Sequence, residues 1–480
     1  PEVLQQIRRK SLARLRREVE PVEQRTFVRF LTRWQGVTVK RRGLDALLDV
    51  IESLQGVALP ASEIERDILP ARLAGYSRND LDMVMAAGEV IWVGVEQIGD
   101  RDGRVALYLT ESLPMLLPPE ELRESQAPLS ERALKIVEVL EKQGASFFAQ
   151  LHAAIGGGFP PETREALMEL AWSGRVTNDT FHPLRNLLHS NETKRSRSVL
   201  AEGPPGSPEF LRLLRSRTSG GGAAQGRWSL LRQRIVEPLN VTQWSANMAQ
   251  QLLVRHGVVM RETAIAENIP RGYPSVYPAL KTMEDSGWVR RGMFVAGLGA
   301  AQFAMTSAVD MLRSLRIDPS TPEAVFLAAT DPANPHGIIL PWPHAEVNGA
   351  ETFPHGMSRT SGAGVILVNG ALTAFLRRRN PSMRVFLPDS EPERSQMARE
   401  LAKKLAELAV RRQGRRSGLL IGEINDAPAR DHFLAHFLED AGFVNTVLGF
   451  QMRRVTAIAS ADGGTVGEAE EPEHEQFETI

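Results

Sequence analysis

Three glycines, Gly88, Gly174 and Gly287, mark copies of one pattern along this chain. Seven residues before each stands a leucine (Leu81, Leu167, Leu280), and four before it an apolar side chain (Val84, Leu170, Met283), which is a buried stripe at helical spacing. Two residues after each comes a valine: Val90, Val176, Val289. Glycine suits the left-handed position just past a helix end, so each copy reads helix, tight stop, strand. An echo of this kind predicts repeated units with separate cores in series. A length of 480 residues leaves room for three or more of them.

Two further helical patterns precede each copy. They run over 43–55 and 62–68, then 131–143 and 147–155, then 242–255 and 262–268. Three helices followed by a hairpin is the winged-helix variant of the helix-turn-helix. The first hairpin is clear: apolar residues 90–95, a turn at 99–103, and a return strand at 104–109. In the second copy no return strand is evident after Asn178, and that wing reads as degenerate. Beyond the third copy the pattern changes to short strands at 324–328, 364–368, 372–377 and 384–387, with Asn369-Gly370 as a hairpin turn. A helix at 391–412, a strand at 419–424, a helix at 427–441 and a strand at 443–448 follow. This part reads as a small β-barrel or curled sheet with flanking helices. The fold class is therefore α+β and multidomain, with tandem winged-helix modules ahead of a β-barrel-like domain.

Composition places the boundaries. A basic amphipathic helical lead-in (1–40) carries Arg8, Arg9, Lys10, Arg14, Arg16 and Arg17 around Leu12 and Leu15. Modules one (41–118) and two (119–190) are followed by a Gly/Ser/Arg-rich linker (191–226), module three (227–315), the barrel-like domain (316–458) and an acidic tail (459–480) that reads as disordered. The tail holds six Glu and Asp462, so removing its −7 from the net −1 leaves about +6 on the rest. Zero cysteines exclude disulfides, thiolate metal sites and cysteine nucleophiles. No apolar run approaches the ~18 residues of a membrane span, and no secretion leader opens the chain, which reads as cytosolic. Pro1 runs straight into a charged helix, so the expectation is a piece of a longer protein whose activity lies upstream.

Winged helices commonly place the third helix in a DNA groove while the wing and helix starts touch phosphates. Module three is best equipped: Arg271 precedes its third helix, Lys281 lies on the polar side, and Arg290 and Arg291 open the wing. The competing reading is solvated surface charge, or a protein-protein module. Module one has Asp80 and Asp82 beside Arg78, and acidic groups repel phosphate, which assigns it to packing. Trp244, Trp288 and Trp342 can stack on unpaired bases, against a plain core role. There is no G-x-x-x-x-G-K-[ST] phosphate loop, and Gly297-Leu298-Gly299 lacks the dinucleotide-binding context. His432 and His436 stand four apart on the expected helix, but Phe433 occupies the place of the glutamate of the zinc protease motif, and no metal is assigned. Asp331, ending an apolar strand in Ala329-Thr330-Asp331-Pro332-Ala333-Asn334-Pro335, is the one carboxylate placed to activate water or stabilise a cationic sugar in base excision. Its competing reading is an ordinary Asp-Pro turn.

The segment Gly287 to Ala304 (GWVRRGMFVAGLGAAQFA), then Ala308-Val309-Asp310, then residues 328–335 and Leu340-Pro341-Trp342-Pro343, resembles the C-terminal region of bacterial large helicase-related (Lhr) proteins. The likeness is specific in order and wording from Gly226 to about Gln451, and looser before the linker. It implies an ATP-dependent 3′-to-5′ DNA helicase of DNA repair whose motor, with its ATP and Mg, lies upstream of Pro1. No cofactor is expected in this part. It implies partners too: DNA, single-stranded or duplex, the upstream helicase core, and further copies of the chain, with a cytoplasmic, nucleoid-associated place in a bacterium. The same region is similar to AlkZ-type winged-helix DNA glycosylases, which makes removal of damaged bases or uracil the alternative function. The glutamine-centred motif of those glycosylases is absent, which leaves Asp331 as the candidate catalytic residue.

Overall fold

The computed structural model describes residues 20–122, 128–189, 226–235, 237, 239–299, 301–319, 321–343, 345–347, 350–352, 356–413 and 419–452. Residues 1–19 of the basic lead-in, nearly all of the linker and the acidic tail lie outside them.

Helix α1 (Gln24–Trp34) precedes the first unit, which contains α2 (Leu44–Leu54), a helical segment over 61–72 and α3 (Arg78–Ala86), with strands β1 (Leu59–Pro60), β2 (Val90–Ile98) and β3 (Asp102–Leu109). The second contains α4 (Glu131–Gln143), α5 (Phe148–Ala154) and α6 (Pro160–Trp172), with β4 (Ser146–Phe147), β5 (Val176–Asn178) and β6 (Arg227–Leu230). The third contains α7 (Val241–His256), α8 (Arg261–Ala266) and α9 (Tyr273–Ser286), with β7 (Val258–Val259), β8 (Val289–Gly292) and β9 (Gln302–Met305). All three sheets share one strand order: β1-β3-β2, β4-β6-β5 and β7-β9-β8. Leu81, Leu167 and Leu280 are all fully buried, and Gly88, Gly174 and Gly287 all have positive φ (81°, 62° and 83°). The repeat seen in the sequence is thus a repeat of environments.

The second wing has its return strand after all. β6 pairs with β5 (Val176↔Leu230, Asn178↔Trp228) from the far side of the Gly/Ser/Arg stretch. A search that stops at the composition break cannot find it, because nothing local links the two strands. The first two units share one core, in which Trp92 meets Trp228 edge to face at 6.3 Å. α1 joins the third unit: Phe27, Phe30 and Leu31 pack with Val258, Phe294 and Val295, and the Val22 N–H donates to the Phe294 carbonyl (2.8 Å).

After α10 (Thr306–Ser314) come β10 (Ala324–Ala328), a short hairpin β11 (Ala345–Val347) and β12 (Ala350–Thr352), then β13 (Ala363–Val368), β14 (Ala371–Arg377) and β15 (Ser382–Val385). α11 (Glu393–Gln413) precedes β16 (Leu420–Ile421), β17 (Glu423–Ile424), β18 (Ala427–Pro428), β19 (Phe443–Thr446) and β20 (Gly449–Met452). The main sheet has the order β10-β13-β14-β15-β17-β18, and β16-β20-β19 form a separate small sheet. The main sheet is open, with β10 and β18 as edges, so no closed barrel forms among the described residues. Its Asn369-Gly370 turn has both residues at positive φ (49° and 81°), as a two-residue hairpin requires. α11 covers one face through Leu401, Leu405 and Leu408. The other face meets Val28, Ala71 and the loop after β10.

The expected helix over 427–441 shrinks to Ala435–Asp440. His432 lies before it in an extended conformation (φ −87°, ψ 148°), so it and His436 do not share a helix face. Its Nδ1 accepts the Leu434 N–H (3.1 Å), a local bond that competes with the helix start. Among the described residues no group of three or more His, Asp or Glu is placed to hold a metal, and no helix is long and apolar enough to cross a membrane.

Candidate functional site

The loop after β10 is fastened from inside. Asp331 accepts the Ala333 N–H (2.8 Å) in an Asx turn, and its two oxygens accept from both terminal nitrogens of Arg72, each at 2.8 Å. Neither side chain of that pair is exposed at all. Arg72 also donates to Gln35 Oε1 (2.7 Å) and to the Ile68 carbonyl (3.2 Å). From the opposite side Arg359 donates to the carbonyls of Asn334 (2.5 Å), His336 (3.2 Å), Thr330 and Asp331 (3.3 Å each). The sequence expectation for Asp331 is thereby corrected. The carboxylate is held bidentate by a guanidinium in the dry interior with no exposed surface, and Asp331 fastens its own loop.

The loop's other face borders a cavity of about 240 Å³. Thr330, Pro332, Asn334 and Arg359 form one side, Val57, Ala58 and Arg104 of the first unit another, and His256 and Glu267 of the third unit a further one. His256 Nε2 is hydrogen-bonded to Glu267 Oε1, and Arg255 donates to Oε2. Burial by itself pushes Glu267 up, but Arg255 and His256 outweigh it and hold the carboxyl at about 2. Arg255 is anchored in turn on the Ser53 carbonyl (3.0 Å). His256 Nδ1 has no hydrogen-bond partner among the described residues. Burial brings Arg359 down to about 10 against the pull of Asp331 and Glu63.

Glu63 lies behind Thr330. It accepts from the Thr330 hydroxyl, the Gly362 N–H (2.6 Å) and Arg66 (3.3 Å), yet burial pushes it up to about 7. Burial likewise drops His336 to about 4, so it is neutral near pH 7, stacked on Trp342 at 6.3 Å. The cavity thus carries an ionised carboxylate paired with an imidazole and a guanidinium facing them. Of this set His256 Nδ1, without a partner among the described residues, can hydrogen-bond a planar polar ring, while Glu267 is engaged on both oxygens by Arg255 and His256. Sequence reasoning missed Glu63, His256, Glu267 and Arg359. Only the adjacency of Arg255 and His256 on a helix was visible, and it says nothing of a carboxylate eleven residues on.

The expected DNA-binding residues separate in space. Arg271 is exposed in a left-handed conformation (φ 62°) just before α9, and Lys281 is exposed on α9. Arg290 and Arg291 alternate on β8 and so point to opposite faces. The Arg291 guanidinium lies 5.7 Å over the Phe303 ring, while Arg290 shares the other face with Trp288, which is 44% exposed. Trp244 is corrected: it is fully buried and its indole N–H donates to the Leu116 carbonyl (3.0 Å), so it cannot stack on a base. The sequence held that signal, since Trp244, Met248 and Leu252 follow one another at helical spacing.

Residues 22–110 and 239–324 each match a family model described as "Large helicase-related protein, winged-helix domain". This is an Lhr-related winged-helix region. The first match takes in α1 with the first unit, and the second takes in the unit that carries Arg271, Lys281 and Arg290. A protein of Mycolicibacterium smegmatis named "Lhr helicase/ probable uracil glycosylase" is 37% identical over 466 residues, covering 94% of this chain and 30% of that protein. The "Lhr helicase/uracil glycosylase" of Escherichia coli K12 is 36% identical over 475 residues, covering 93% of this chain and 30% of its own length. The chain therefore spans about 30% of the Lhr relatives it matches. Among solved structures, the DNA glycosylase AlkZ of Streptomyces sahachiroi aligns with a TM-score of 0.47 and 14% identity, over 85% of this chain and all of the other.

Proposed function

We propose that this region is the DNA-binding and self-associating C-terminal part of an Lhr-type, ATP-dependent 3′-to-5′ repair helicase, and that its third unit makes the main DNA contact. The observation that carries the reading is the surface of that unit. Arg271 at the start of α9, Lys281 along it and Arg290 beside Trp288 on the wing are all accessible, and each lies where winged helices touch phosphates or bases. Arg290→Glu combined with Arg271→Glu weakens binding of single-stranded and duplex DNA and flattens its salt dependence, as measured by fluorescence anisotropy over a salt series. Unchanged affinity removes the third unit from the DNA path. Light scattering tests self-association, and a strict monomer at high concentration removes that role.

A second reading, base excision, is favoured by the cavity between the β10 loop and the first and third units. Its 240 Å³ gives room for several waters or one heterocycle. A flipped base there would lie beside Arg359 and His256, whose Nδ1 meets no partner among the described residues, with the Arg255–Glu267–His256 cluster holding the imidazole in place. The names of the two relatives support the same chemistry. Incubation with uracil-containing DNA followed by alkali tests it: Glu267→Gln abolishes strand breaks if the reading holds, while breaks that persist in this folded variant sink it.

A further inference from the structure

A larger groove, about 810 Å³, lies between residues 65–78 of the first unit, β10 and α11. β10 is an edge strand, and the parity of its ladder fixes which backbone groups face the groove. The Glu323 carbonyl accepts the Asn369 N–H (2.9 Å) and the Ala329 N–H donates to the Ala363 carbonyl (2.9 Å), so odd positions face β13. In an antiparallel ladder the even positions then point outward. Ala324 and Phe326 border the groove, and among the described residues their outward N–H and C=O groups meet no hydrogen-bond partner.

The charge around this edge is positive. Of the four carboxylates bordering the groove, Glu65 is bonded to Arg185 (2.7 Å), Asp67 to Arg66 (2.6 Å) and Glu407 to Lys404 (2.6 Å). Arg78 also lies 3.9 Å from Glu65, and around the whole groove six cations (Lys40, Arg66, Arg78, Arg378, Arg379 and Lys404) stand against those four carboxylates. Half-buried Phe326 adds apolar surface. We propose that the exposed edge of β10 docks an extended acidic peptide of a partner protein, which adds to the main sheet as a further strand. Strand addition uses main-chain donors and acceptors for affinity and pockets for alternate side chains for specificity. A nucleic-acid strand fits less well, since phosphates accept but do not donate, and would leave the carbonyls of Ala324 and Phe326 unpaired beside Glu323.

The probe is a labelled octapeptide of alternating valine and glutamate, titrated onto the whole chain by anisotropy and followed by amide hydrogen exchange. Saturable binding is expected, with slowed exchange at Ala324 and Phe326, and none for the valine-lysine counterpart. Ala324→Pro deletes an outward N–H without touching the ladder to β13, and weakens binding by about tenfold. Arg379→Glu weakens it by about threefold. Arg290→Glu leaves peptide binding unchanged, which separates this proposal from the DNA contact of the third unit. Absence of saturable binding, or of protection at Ala324 and Phe326 in the native chain, overturns it. So does oligothymidylate that displaces the peptide and loses its own affinity in Arg379→Glu, which would make the groove a nucleic-acid track.

Discussion

The first and third units are built alike and exposed differently. Each presents a third helix ended by a left-handed glycine and a sheet of the same strand order. In the first unit that helix is closed off by the second unit: Asp82 on α3 accepts from Arg185 (2.6 Å), which also binds Glu65 (2.7 Å) and the Arg78 carbonyl (3.2 Å). In the third unit the equivalent helix keeps Lys281 in solvent, with Arg271 exposed at its start. The difference comes from a few side chains. Two carboxylates, Glu65 and Asp82, recruit an arginine from the neighbouring unit and turn a face that stays exposed in the third unit into an internal joint. Without such carboxylates the same scaffold stays open.

Breaking the joint is the largest effect this comparison predicts. Arg185→Ala leaves Glu65 and Asp82 facing each other with little solvent, and costs about 3 to 5 kcal/mol, as does Asp331→Ala, which strands Arg72. Urea unfolding checks both, and a loss below about 1 kcal/mol would mean that the joint is held by its apolar core alone. Gly94→Ala probes the same joint from the wing side. A Cβ at Gly94 would lie 2.1 Å from the Ala171 carbonyl oxygen of the second unit, so this smallest of substitutions costs about 1 to 3 kcal/mol. Gly287→Ala, at the helix stop that matches Gly88, meets no atom within 4 Å and carries only backbone strain at φ 83°, as Gly88→Ala does at φ 81°.

How much of this was readable beforehand follows range along the chain. Helix stops, the first hairpin and the Asn369-Gly370 turn are local, and they stand where the sequence puts them. The return strand β6 is not, because its partner lies some fifty residues back across a helix and a stretch dominated by Gly, Ser, Pro and Arg. The joint and the cavity are less local still. Arg185 is 120 residues from Glu65, and Arg72 is 259 from Asp331, so an aspartate that looks exposed in its own heptapeptide is buried by a helix from another unit. Trp244 shows the converse, since its helical spacing with Met248 and Leu252 gave the core role and only chemical appeal suggested DNA.

Acid titration sharpens the contrast at a smaller scale. Glu63, between the first unit and the main sheet, titrates near 7 when folded against 4.5 when free, so the folded state binds the extra proton and stability falls as pH rises from 4.5 to 7. Glu267 in the third unit titrates near 2, so its contribution is present above 4.5 and is lost as pH falls toward 2. Glu63→Gln should flatten the first slope and leave the second, as followed by unfolding free energy against pH. A Glu63→Gln curve parallel to that of the parent would mean that the carboxyl is not desolvated.

The smallest effect separates two neighbouring arginines. Arg291 lies over Phe303 inside the third unit, whereas Arg290 faces outward with Trp288. If Arg290 touches a phosphate, Arg290→Ala reduces the slope of log affinity against log salt by about 1 and weakens binding by roughly tenfold, with stability within about 0.5 kcal/mol of the parent. Arg291→Ala should do the reverse, losing about 0.5 to 1 kcal/mol of cation–π stabilisation with the salt slope intact. Equal slopes in both variants would show that the wing does not reach the backbone, and would leave α9 with Arg271 and Lys281 as the only DNA contact this unit offers.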